Sequence, residues 1–211
     1  YIAPAPFLST IMGGTIEKAR DISEGGNSNN YGVHGTGLST AADSLAAIKK
    51  LYFDEKSISL DELSEALRND FVGYETLQDQ LRDEAPKMGL DDDKADAVGT
   101  ALLDSFAAGL RGIRNERGGI WRAGTGTAMY YIFHAKDLPA TPDGRNAGEV
   151  LPANFTPSMF LRQKGPVSVM RSFSKPHLED AINGGPLTIE LDESIFRSDE
   201  TVEKLAMLIR S

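Results

Sequence analysis

Apolar positions fall into helical stripes along the first half of the chain and into short extended runs along the second. From Leu38 to Phe53, the residues Leu38, Ala41, Ala42, Leu45, Ile48 and Tyr52 share one face, and the alanines allow close packing. Ser59-Leu-Asp-Glu62 is a capping box that opens a helix through Leu67 toward Phe71. Phe7–Ile22 reads as a helix weakened by Gly13 and Gly14, and Glu75–Met88 as one shortened by Pro86. Asp91-Asp-Asp-Lys-Ala-Asp96 sets acids at the positive end of a long helix reaching about Asn115. Between the first two helices, Ser23–Gly37 is dense in Gly and Asn and reads as a loop.

The second half changes character. Trp121–His134 holds Thr127-Ala-Met-Tyr-Tyr-Ile-Phe133, an aromatic run that predicts a buried strand ending at a half-buried His134. Thr141-Pro-Asp-Gly-Arg145 is a turn, with Pro142 presetting φ and Gly144 accepting a positive one. Leu151–Met159 predicts a short extended segment, and Gly165–Ser172 a helix with Pro166 at its first position. Leu187–Leu191 alternates after Gly184-Gly185-Pro186 and predicts a strand. Thr201–Ser211 carries an amphipathic stripe of Val202, Leu205, Leu208 and Ile209 with no stop signal, which suggests a segment of something longer. No linker divides the chain, so residues 1–211 read as one piece of an α/β architecture.

Composition narrows the function classes. Lys+Arg 22 against Asp+Glu 31 leaves a net charge of −9, which argues against a phosphate-tracking nucleic-acid binder. No apolar run approaches the ~18 residues of a membrane span, and the opening Tyr1-Ile-Ala-Pro lacks signal-peptide features. A soluble, cytoplasmic protein is expected. With no cysteine, disulfides, thiolate metal sites and a cysteine nucleophile are excluded from these residues. His34, His134 and His177 lie too far apart in sequence to suggest a metal site, and none is expected.

Spacing alone marks few candidates. Gly32-Val-His-Gly-Thr-Gly37 precedes a helix as a phosphate loop would, yet it fits neither nucleotide fingerprint and ends without Lys. His34 within it is a candidate proton donor or substrate ligand; the plainer reading is a turn cap. Asp91–Asp93 lacks the Gly of a calcium loop and is explained by helix capping. Asp143 and Arg145, two apart, are expected to form a local ion pair that would rigidify their turn.

Three stretches together carry a resemblance. Ala41-Ala-Asp-Ser-Leu-Ala-Ala-Ile-Lys-Lys50 follows the Gly-rich loop. Thr141-Pro-Asp-Gly-Arg-Asn-Ala-Gly-Glu149 comes next, and after Gly165–Ser172 the chain reaches Asn183-Gly-Gly185. This order resembles the pyruvate formate-lyase-like glycyl radical enzymes, across nearly the whole chain. The resemblance implies part of a ten-stranded α/β barrel, roughly its second half with outer helices. It implies a parent that acts on a small organic substrate by thiyl-radical chemistry, as a formate C-acetyltransferase-like enzyme, a related C–C lyase or a dehydratase. A glycyl radical would be installed by an activating enzyme with S-adenosylmethionine and an iron–sulfur cluster, and the parent is expected to be a homo-oligomer.

The resemblance also assigns residues. Thr141, Pro142, Asp143, Gly144 and Arg145 become an architectural turn, and Asn154, Phe155 and Thr156 become candidate substrate contacts beyond it. The thiyl cysteine and the Arg-Val-x-Gly-Tyr-type radical loop are missing, and Asn27-Ser-Asn-Asn30 stands where many relatives carry Ala-x-Tyr-Asn. The chain is therefore expected to be an interior segment, inactive alone. The alternative is a non-catalytic half-barrel that serves as a binding or scaffold protein. Truncation of the barrel is expected to leave the segment prone to association or disorder, with Trp121–Phe133 and Leu187–Leu191 as its exposed edges.

Overall fold

Four residues of the Gly-rich loop, Tyr31–His34, form a strand (β1) rather than irregular chain. In the computed structural model, which describes residues 4–162 and 164–210, β1 pairs in parallel with Trp121–Gly124 (β2). The register runs from Tyr31↔Trp121 to His34↔Gly124. Parallel pairing needs a crossover, and the helices between residues 38 and 110 supply it. Polar side chains fix the register at the strand starts. Ile120 N donates to Asn30 Oδ1 at 2.9 Å, and Asn115 Nδ2 donates to Asn29 O at 2.5 Å. The Asn-rich stretch thus ties β1 to β2.

The N-terminal segment is three short helices instead of one: Pro6–Ile11 (α1), Thr15–Lys18 (α2) and Ile22–Gly25 (α3). Gly14 takes φ +88° at the first break, and a Cβ there would fall 2.0 Å from Asn27 Oδ1. Leu38–Ile48 (α4) extends through a π-helical stretch to Asp54, and Leu60–Arg68 (α5) opens as its capping box predicts, with Ser59 Oγ accepting from Glu62 N at 3.0 Å. Glu75–Asp79 (α6) runs into a π-helical turn that ends at Glu84, before Pro86. Asp93–Leu110 (α7) is shorter than the expected span, and Asp92 caps it through Lys94 N.

The helices α4 and α7 pack against each other through small residues. A Cβ on Gly99 of α7 would meet the Phe155 ring at 2.9 Å and the Ala42 methyl at 3.7 Å. Leu51, Leu63, Phe71, Leu77 and Leu81 build a second core beneath α5 and α6. At roughly 25 cal/mol per Å² of buried apolar surface, these clusters are the main favourable term in the fold.

Two strand expectations are corrected. Thr127–Phe133 is a turn followed by the short helix Tyr130–Phe133 (α8) and a 3-10 turn over His134–Asp137. Tyr130 and Phe133 are about half exposed, so no sheet face forms around them, and His134 is exposed rather than half-buried. Leu187–Leu191 joins no sheet. Pro166–Ser174 (α9) matches its prediction, and Leu151–Met159 is irregular. Asp199–Arg210 (α10) covers the amphipathic stripe, while Ser211 and Tyr1–Ala3 lie outside the described residues. Among the described residues β1 and β2 are the only strands, set in a helix-rich fold, with no helix long and apolar enough to cross a membrane.

Candidate functional site

Parallel strands deliver their carboxyl ends to one side, where ligands bind in open α/β sheets. Here that side is built by Gly35–Gly37 after β1, by Thr125–Met129 after β2, and by Asn183–Pro186, which lies across both. Asn183 N donates to Ala123 O at 2.8 Å and Thr125 N donates to Gly184 O at 2.9 Å, so this stretch runs beside β2 like a short third strand. A Cβ on Gly185 would lie 1.8 Å from Thr125 Oγ1, and the glycine is what permits this approach.

Asn154 ties the far segments together. Its Oδ1 accepts from Thr127 N at 2.9 Å, its own N donates to Thr127 Oγ1 at 3.0 Å, and its Nδ2 donates to Pro186 O at 3.0 Å. Asn154 holds φ +56°, a conformation Asn tolerates better than most residues. Around it opens a cleft of about 720 Å³ lined by Tyr131, Asn154, Thr156, Met159, α9 residues Pro166 and Val169, and Leu187–Leu191. The walls are mostly apolar, with a few polar groups converging, as in small-molecule sites.

The proposed contacts therefore separate. Asn154 and Thr156 share the cleft, and the Thr156 hydroxyl donates to Ala153 O at 2.5 Å. Phe155 turns the other way and is 1% exposed against Gly99, so it is core. His34 ends β1, exposed, with its Nε2 3.4 Å from Asn183 Nδ2, and it is not among the cleft-lining residues. Tyr131, Val169 and Leu187–Leu191 line the cleft without any local signal that marked them. Only the alternation at Leu187–Leu191 set that stretch apart, and it pointed to a strand.

The turn at Thr141–Arg145 is a buried polar hub outside the cleft. Asp143 and Arg145 are 0% and 1% exposed. The Arg145 guanidinium donates to Pro139 O, Asn146 O and Glu149 O at 2.5, 2.9 and 2.7 Å, and Nε to Thr141 Oγ1 at 3.1 Å. Gly144 takes φ +92° beneath Arg82, whose Nε donates to Gly144 O at 2.6 Å.

Lys87, also buried, donates to Asp143 O at 2.8 Å. Asp43 on α4 accepts from Met88 N at 2.7 Å, with Ser158 Oγ 3.4 Å from its second oxygen. Burial pushes the Asp43 carboxyl up to about 7 against the pull of Lys87, and burial pushes the Lys87 ammonium down against Asp43 and Asp143. These groups hold α4, the residues before α7 and the turn in one arrangement; none lines the cleft.

A second hub fixes α9. Lys175 Nζ lies 2.7 Å from Asp91, 2.8 Å from Asp93 and 2.7 Å from Asp96, which holds one cleft wall on the start of α7. Desolvation opposes the charge, yet the hydrogen bonds Lys175 donates to the three carboxylates hold its ammonium above its ordinary range. Among the described residues no group of three or more His, Asp or Glu is placed to hold a metal ion.

The family model for pyruvate formate lyase-like proteins matches residues 1–133. The chain is 30% identical over 210 residues to the trans-4-hydroxy-L-proline dehydratase of Clostridioides difficile, covering 99% of this chain and 26% of that protein. It is 34% identical over 182 residues to the isethionate sulfite-lyase of Bilophila wadsworthia. That match covers 83% of this chain and 21% of the relative. Its fold superposes on the glycerol-bound, B12-independent glycerol dehydratase of Clostridium butyricum with a TM-score of 0.89 and 32% identity, over 99% of this chain and 26% of that one. A glycyl radical enzyme from Archaeoglobus fulgidus gives a TM-score of 0.88 at 33% identity, over 98% of this chain and 26% of that one. The chain thus spans about a quarter of the length of the relatives it matches most fully, which are glycyl radical dehydratases and related enzymes. It belongs to the pyruvate formate lyase-like family of glycyl radical enzymes.

Proposed function

We propose that these residues form part of a glycyl radical enzyme that dehydrates or cleaves a small organic substrate, and that they supply one wall of its substrate cavity within a partial barrel. The observation that carries this reading is the superposition of 99% of the chain on a dehydratase with glycerol bound. Relatives that are dehydratases and a sulfite-lyase favour elimination or C–S cleavage over formate acetyl transfer.

Asn154 and Thr156 are the proposed contacts. Asn154 has one Nδ2 hydrogen committed to Pro186 O, which leaves its second to donate to a substrate oxygen. The Thr156 hydroxyl spends its hydrogen on Ala153 O and presents lone pairs to a substrate hydroxyl. His34, anchored loosely by Asn183 at the strand end, is the proposed group that could carry a proton at this face. Phe155 is left as packing.

The radical chemistry does not fit this chain by itself. It holds no cysteine to become a thiyl and no Arg-Val-x-Gly-Tyr loop to store a radical, so these residues bind and orient rather than abstract hydrogen. The proposed partners are an activating enzyme with S-adenosylmethionine and an iron–sulfur cluster, and further copies of the parent, in the cytoplasm.

The test uses the full-length protein, activated without oxygen and assayed against small diols, hydroxy amino acids and hydroxysulfonates. Asn154→Ala and Thr156→Val should raise KM about tenfold, the loss of one buried hydrogen bond each. An unchanged KM in both variants would refute the assignment. A full-length product that cannot be activated would favour the non-catalytic half-barrel.

A further inference from the structure

Thr127, just past β2, is 1% exposed and does not line the cleft. Its carbonyl accepts from Tyr130 N at 2.9 Å, which fixes it to the start of α8. Its other polar groups all turn to Asn154. The Thr127 N–H donates to Asn154 Oδ1 at 2.9 Å, and the hydroxyl lies 3.4 Å from the same oxygen. The hydroxyl oxygen in turn accepts from Asn154 N at 3.0 Å.

These bonds leave the Asn154 amide a single orientation. A backbone N–H can only donate, so the atom that faces Thr127 N is the carbonyl oxygen. The Pro186 carbonyl can only accept, so the atom 3.0 Å from it is Nδ2. Turning the amide over would set donor against donor at Thr127 and acceptor against acceptor at Pro186. The Asn154 backbone is held as well, because the bond from its N–H to Thr127 Oγ1 secures a residue at φ +56°. Asn154 itself lines the cleft and is half-buried, while Thr127 is sealed behind it.

We propose, resting on the assignment of Asn154 as a substrate contact, that Thr127 is a positioning residue that sets specificity: by occupying the Asn154 carbonyl oxygen, it leaves the cleft only an amide N–H. The substrate atom met there is an acceptor oxygen, from a hydroxyl, carbonyl, carboxylate or sulfonate. An ammonium or amide N–H finds no partner at this point.

The test is a double-mutant cycle in the activated full-length enzyme, with KM and kcat read on its best substrate among the diols, hydroxy amino acids and hydroxysulfonates. Thr127→Val nearly keeps the shape and removes the hydroxyl, and Asn154→Gly removes the amide while accepting the positive φ. Thr127→Val should raise KM about fivefold, the loss of one hydrogen bond, and should add nothing in the Asn154→Gly background. Thr127→Ser keeps the hydroxyl and should hold KM within about twofold of the parent. Asn154→Asp sets a carboxylate oxygen against Pro186 O and should bind substrate more weakly than Asn154→Gly. A Thr127→Val effect of equal size in both backgrounds overturns the positioning role. So does an unchanged KM in Thr127→Val where Asn154→Gly raises it, and Asn154 then remains a contact. An unchanged KM in Asn154→Gly removes the contact itself, and the role of Thr127 with it. Should Thr127→Val fail to fold, Asn154→Asp decides the matter, since binding as tight as the parent's would overturn the donor assignment.

Discussion

Replacing Arg145 with Met removes a buried fork while roughly keeping the stem's volume. Four hydrogen bonds are lost, to Pro139 O, Asn146 O, Glu149 O and Thr141 Oγ1. Bonds to a charged group contribute about 1.5–3 kcal/mol each, and their simple sum overshoots because the guanidinium no longer has to be desolvated. What remains is three carbonyls on one tight turn with no donor, in a chain whose total stability is of order 5–15 kcal/mol. The expected loss is about 3–5 kcal/mol, a melting shift of roughly 10 °C for a chain of this size. Urea unfolding followed by far-ultraviolet circular dichroism reads it as a lower midpoint at unchanged slope. Arg145→Lys should recover less than half, because a single ammonium cannot reach both sides of the turn. A loss under about 1 kcal/mol for Arg145→Met would refute the view that this residue holds the turn.

Other outcomes follow from the same geometry. Asp43 has a folded pKa of about 7, above its ordinary 3.8, so its contribution to stability is fully present at low pH and fades as pH rises through 7. Asp43→Asn keeps the acceptor for Met88 N, so its stability relative to the parent should climb by a few kcal/mol between about pH 4 and pH 8; a flat difference in urea titrations counts against the shift. Gly185→Ala places a methyl 1.8 Å from Thr125 Oγ1, and should free Asn183–Pro186 from β2, seen as faster amide exchange at Thr125; protection equal to the parent argues against that docking. Lys175→Met should raise amide exchange across α9 while leaving α4 protected, since its three aspartate contacts hold that helix; exchange unchanged in α9 removes the hub. Phe155→Leu should cost about 1–2 kcal/mol against Gly99 and leave substrate KM unchanged, because the ring faces the core; a KM effect without a stability loss would return Phe155 to the cavity.

The helices were readable because their signals are local. Ser59 and Glu62 announce the start of α5, and the alanines after Leu38 mark a helix that buries Ala42, Ala46 and Ala47, although Leu45 of the same stripe stays 46% exposed. Gly13 and Gly14 weakened the first helix on paper and mark its first break in fact, where Asn27 approaches from outside any local window; the second break falls at Ala19, which takes φ +48°. The strand β1 was missed because its partner is about ninety residues away and its own sequence is Gly-rich, so pairing rather than propensity decides it. The aromatic run at Thr127–Phe133 misled for the opposite reason: its composition suits a strand, yet no neighbouring strand covers it. At the site, the family resemblance led to Asn154 and Thr156. The hydrogen bonds that make Asn154 a tie reach Thr127 and Pro186, 27 and 32 residues off, and no spacing rule reports them.

The central claim is that these residues serve a radical enzyme. Its most direct test is electron paramagnetic resonance on the native polypeptide that contains them, incubated without oxygen with its activating enzyme and S-adenosylmethionine. The account predicts an organic doublet from a backbone glycyl radical that decays on exposure to air. A native product near 22.8 kDa that never shows that signal would contradict it.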